Sequence, residues 1–112
     1  YLLQYDREKF ASVSRDKFVE ALNAEGIACH IGYPWPLSKN PMFQQVKEGP
    51  EGCPFTCPYY AKKISIKDQE FPVTERICGD TVVIPHQVLL SPKSDIDDIV
   101  TAVAKIKENA GE

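Results

Sequence analysis

The chain has 112 residues, 43% hydrophobic and 26% charged, the make-up of an ordinary globular domain with one core, residues 1–112. Its formal net charge is -3 and its lysines and arginines are scattered, so it lacks the basic stripe that grips a phosphate backbone, which excludes a nucleic-acid partner. No apolar run approaches the ~18 residues of a membrane span, and the start has no signal-peptide pattern, so no membrane partner is expected either.

In chain order, Tyr1 to Tyr5 is rich in strand-forming residues and predicts a first strand. A polar connection over Asp6 to Val13 leads to Ser14, an N-cap residue, with Asp16 in the first turn behind it. Phe18, Val19 and Leu22 form one helical face, and Gly26 stands where a left-handed residue would end the helix. Ile27 to Ile31 predicts a second strand, followed by a proline-locked bend that presents His30, Tyr33 and Trp35.

Residues 32–70 form a long loop punctuated by Pro34, Pro36, Pro41, Pro50, Pro54 and Pro58, with a single helical turn predicted over Pro41 to Val46. A loop of this length is uncommon in a compact domain and is usually functional. Its aromatics, Trp35, Phe43, Phe55, Tyr59 and Tyr60, argue for order.

Phe71-Pro72 opens a further helix that Gly79 is expected to stop, and Thr81 to Ile84 reads as a short buried strand ended by Pro85. Ser94 is the expected cap of the last helix. Ile96, Ile99, Val100, Val103 and Ile106 follow helical spacing and predict its buried face. The order strand–helix–strand, loop, helix–strand–helix predicts an α+β fold: a small, mostly antiparallel sheet covered by helices on one face. The other face is then free to meet another domain.

The four cysteines, Cys29, Cys53, Cys57 and Cys78, point to a reducing, cytoplasmic setting, because a domain of this size needs no disulfide staples. Cys53 and Cys57 could supply half of a zinc site, but no second close Cys/His pair completes it, so no metal site is expected. No nucleophile motif, phosphate-binding glycine loop or paired metal motif is present. Of the two histidines, His86 is better placed than His30 to project into a cleft, since it follows a buried strand and Pro85. Glu75 and Arg76 read as a solvated pair or a tie to the neighbouring loop, and Lys62 and Lys63 resemble no activated lysine. Met42 is the only methionine and residue 1 is a tyrosine in an apolar segment, so the chain is expected to be the C-terminal part of something longer.

Four blocks in order, SRDKFVEALNAEGIACHIGYPWPL from Ser14, NPMFQQ from Asn40, FPVTERICGDTVVIPHQVLL from Phe71 and SDIDDIVTAVAKIKE from Ser94, resemble the C-terminal domain of the DegT/DnrJ/EryC1/StrS family. That resemblance covers most of residues 14–107 and implies the small domain of a fold-type-I aminotransferase that uses pyridoxal phosphate. The cofactor would be bound by a large domain outside this chain, which would also carry the catalytic lysine. No position here matches a catalytic residue of the family, so the chain alone is expected to be inactive. The implied substrates are an amino acid donor, glutamine or glutamate, and a keto sugar or keto cyclitol, with a homodimer as the implied assembly. Tyr33 is the expected substrate-binding residue of the bend, and His86 the next. A stand-alone ligand-binding or regulatory α+β module, or a zinc-stabilised interaction domain, are the alternatives that the residues leave open.

Overall fold

The computed structural model describes residues 1–45, 49, 53, 58, 59, 65 and 69–111. They group into two compact units, Tyr1–Pro34 with Arg76–Glu112, and Trp35–Glu75.

The first unit is built on a three-stranded antiparallel sheet in the order β1 (Leu2–Gln4), β3 (Thr81–Val83), β2 (His30–Ile31). Leu3, Val82 and Ile31 lie opposite one another across the sheet and therefore share a face. Helices α1 (Arg15–Ala24) and α4 (Lys93–Glu108) cover that face. Phe18, Val19 and Leu22 from α1, Ala102 from α4, and Val82, Ile84, Tyr5 and Cys29 form the buried core there. Leu22 and Val82 are fully buried at its centre. Rings of Tyr5, Phe10 and Phe18 cluster with centroids about 5 Å apart, and the Tyr5 hydroxyl donates to the Val13 carbonyl at 3.0 Å.

The local signals around α1 act as the sequence suggests. The Ser14 hydroxyl accepts from the Lys17 N–H. At the other end Gly26 has φ +89°, and the Gly26 and Ile27 amides donate to Asn23 and Leu22. That crossed pair of bonds closes a helix when the residue after its cap is left-handed.

Four expectations need correction. The second strand pairs only over His30–Ile31, because Asn23 intercepts its start: its amide nitrogen donates to the Cys29 carbonyl and its amide oxygen accepts from the Cys29 N–H. Gly79 does not stop α3, which runs Pro72–Asp80. That helix ends where the Thr81 hydroxyl donates back to the Ile77 carbonyl at 2.6 Å and the chain turns into β3. Ser94 is not the cap of α4, since the helix begins at Lys93 and the Pro92 carbonyl takes the first amides; the Ser94 hydroxyl donates to Asp95 instead. Val100 is exposed at 64%, while Ala102 is buried. The inward stripe centres on Ile99 and Val103, and Val100 is turned about a quarter of the circumference away at 3.6 residues per turn.

The second unit carries the turn Leu37–Lys39 and the short helix α2 (Pro41–Gln44). Asn40 caps α2 through its side-chain oxygen, with Pro41 at the first helical position. Helix α2 is one turn, as expected, but Val46 lies outside the described residues. So do Phe55, Tyr60, Lys62 and Lys63. Lys39 pairs with Glu75 at 2.7 Å, which is the tie to the neighbouring loop that the sequence allowed for Glu75. No helix among the described residues is long and apolar enough to cross a membrane.

Candidate functional site

With α1 and α4 on one face, the opposite face of the sheet is left as an open hollow of about 550 Å³. Leu2, Val83 and His30 are directly opposite across the three strands, so all three point to this side. Thr81 stands two residues before Val83 and shares its face. The bend Gly32-Tyr33 closes one end, and Ile77 and Cys78, from the last turn of α3, close another. The floor is apolar, and the polar side chains at its rim are His30 and Tyr33.

The walls are held by satisfied backbone groups. A helix leaves its last four carbonyls without internal partners. In α3 three of these find named donors: Ile77 takes the Thr81 hydroxyl, Cys78 takes the Arg15 guanidinium at 2.6 Å, and Asp80 takes the Tyr5 amide at 2.7 Å. Arg15 is itself oriented by Asp16, at 2.9 Å. The end of α3 is thus fixed from α1, from the residue that follows β1 and from its own next residue.

The bend approaches β3 closely. The Gly32 amide donates to the Thr81 carbonyl at 3.3 Å, and a Cβ added at Gly32 would meet the Thr81 methyl at 3.1 Å. Glycine is favoured there by space and not by dihedral angle, since Gly26 is the described glycine with positive φ. Pro34 then stiffens the exit. Tyr33 is 84% exposed.

Of the two site residues expected from sequence, Tyr33 lines this hollow and His86 does not. His86 opens the 3-10 turn His86–Leu90 and is exposed there. Trp35 belongs to the second unit. His30, ranked behind His86 on sequence, is brought beside Tyr33. Strand parity was the available signal: Cys29 and Ile31 pack into the core, which turns His30 outward. Cys57 lies outside the described residues, so the pair Cys53–Cys57 has no described geometry. Among the described residues no three His, Cys, Asp or Glu side chains gather as metal ligands.

The family model of the DegT/DnrJ/EryC1/StrS aminotransferases matches residues 1–67, more than half of the chain. The chain belongs to this family. Similar proteins extend the likeness over nearly all of it. One from Streptoalloteichus tenebrarius is 34% identical over 110 residues, 96% of this chain. Another, from Micromonospora echinospora, is 32% identical over 113 residues, 98% of this chain. A third, from Streptomyces kanamyceticus, is 28% identical over 114 residues, 99% of this chain. All three are provisionally named L-glutamine:3-amino-2,3-dideoxy-scyllo-inosose aminotransferases, and the chain spans about a quarter of their length, 26% in each case.

The family implies pyridoxal phosphate, which needs an amine to bond its aldehyde and cations or clustered N–H groups for its phosphate. The described residues that line the hollow include neither lysine nor arginine. They do not fit that cofactor.

Proposed function

We propose that this chain is the C-terminal, small domain of a pyridoxal-phosphate-dependent aminotransferase that moves an amino group from glutamine or glutamate to the ketone of a cyclitol or sugar. The observation that carries this reading is the near-complete alignment of the chain with about a quarter of each named relative. The apolar hollow with its two polar aromatic residues agrees with it. An apolar floor suits the C–H face of a polyol ring, and a rim of Tyr33 and His30 suits its hydroxyls. Among the described residues that line the hollow there is no lysine or arginine, which agrees with a cofactor held elsewhere in the protein.

On this reading the hollow forms one wall of the acceptor cleft. Tyr33 orients the acceptor, His86 stands outside this wall, and the chain without the rest of the enzyme is inactive. The full-length protein is expected to be a homodimer. The test is transamination by the full-length protein supplied with pyridoxal phosphate, glutamine and scyllo-inosose, with the amino-cyclitol product followed by mass spectrometry. Product from the full-length protein and none from the 112-residue chain is the expected result. Turnover by the chain alone, or no turnover of any keto cyclitol or keto sugar by the full-length protein, overturns the reading.

A further inference from the structure

The ring of His30 is not free to turn. Its Nδ1 lies 2.8 Å from the carbonyl oxygen of Ile31. A carbonyl only accepts, so Nδ1 is the nitrogen that carries the proton in this contact. In the neutral ring that leaves Nε2 with its lone pair, and Nε2 makes no hydrogen bond among the described residues. The side chain is exposed on the hollow's side of the sheet, in register with Val83 and Leu2, and lines the hollow together with Tyr33. The tether runs to the next residue of the same strand, so it costs no distant rearrangement and is present before any ligand arrives.

We propose that His30 is a ligand-binding residue of this hollow, whose tethered imidazole presents Nε2 as an acceptor to a ring hydroxyl of a polyol. Tyr33 can donate or accept, whereas the neutral, tethered His30 can only accept at Nε2. The pair therefore favours a ring that offers a hydroxyl donor at the His30 side, and a deoxy carbon at that position leaves Nε2 unpaired. Selectivity among keto cyclitols would follow from which carbon bears a hydroxyl there. This inference deepens the aminotransferase reading and rests on it.

Two substitutions separate a ligand contact from a structural one. The end of a glutamine side chain reaches the place of Nε2, while an asparagine side chain reaches only the place of Nδ1. In the full-length enzyme, His30→Gln is expected to keep KM for scyllo-inosose within about twofold. His30→Asn and His30→Ala are expected to raise it about threefold to tenfold, the worth of one neutral hydrogen bond. KM for glutamine and the melting temperature should stay unchanged in all three. If His30→Asn behaves as wild type while His30→Gln fails, the tether alone matters and the proposal is overturned. If all three match wild type, the proposal is likewise overturned, although the aminotransferase reading stands. A wild-type enzyme that turns over no keto cyclitol or keto sugar removes the reading and the proposal together.

Discussion

Replacing Gly32 by alanine tests the architecture at the point where the bend meets the sheet. The new Cβ would stand 3.1 Å from the Thr81 methyl and 3.3 Å from its Cβ, closer than side chains ordinarily pack. Thr81 is 8% exposed and its hydroxyl is committed to Ile77, so it cannot swing aside without breaking that bond. Overpacking of this kind costs about 1–3 kcal/mol. Against it, alanine restricts the unfolded chain more than glycine and returns about 0.4–1 kcal/mol. The expected net loss is therefore about 1 kcal/mol, read as a lower midpoint in urea with an unchanged slope. The decisive measurement adds Thr81→Ser, which removes the crowded methyl and keeps the hydroxyl. Alone it should cost about 0.5–1.5 kcal/mol as a lost buried methyl. Combined with Gly32→Ala it should cost less than the two singly, by at least about 0.5 kcal/mol, because the residues touch. Strict additivity, or a Gly32→Ala protein as stable as the parent, would refute the steric argument.

Leu22→Ala empties the centre of the core and should cost about 2–5 kcal/mol in the same urea measurement; a loss under about 1 kcal/mol would place the core elsewhere. Tyr5→Phe keeps the stacked ring and deletes the bond to Val13, for about 1 kcal/mol. Burial also pushes the Tyr5 phenol up from its ordinary value. Its contribution should therefore be complete below about pH 10 and be lost as pH rises through the native value, which a pH series comparing wild type with Tyr5→Phe would show. Burial raises the Cys29 thiol in the same way, so in the folded protein it should react with iodoacetamide more slowly than in denaturant. Equal rates, measured by mass spectrometry of the Cys29 peptide, would contradict its packing.

The parts of this fold legible in sequence are those whose cause is local. Ser14 caps its helix through a bond three residues away, and Gly26 ends it through bonds to the same turn. The features that escaped depend on partners distant in sequence or on a side chain replacing a strand. Nothing in the run Ile27 to Ile31 announces that Asn23 will occupy the Cys29 backbone. Glycine at 79 looks like a terminator until Thr81, Arg15 and Tyr5 are seen satisfying the end of α3. The site divides the same way. The place of Tyr33 beside the hollow was legible because proline and glycine fix the bend around it. His30 was ranked behind His86 because its place beside Tyr33 depends on lying across from Val83 and Leu2, a register that the sequence does not print.

The central strand, β3, is also the last of the three to be synthesised, and both edges of the sheet must wait for it. Its pairings join residues roughly 50 and 80 positions apart, the kind of contact that slows folding. On the ribosome β1, α1 and β2 emerge with their apolar sides uncovered until residues 81–83 arrive. The intervening stretch between Pro34 and Arg76, a compact unit of its own, is also the connection that has to be closed before β3 can pair. Closure entropy grows with the logarithm of length, so doubling that stretch would cost the first unit only about 0.6 kcal/mol. Insertions and deletions between α2 and α3 are therefore the cheapest way for such a chain to vary without disturbing the hollow lined by His30 and Tyr33.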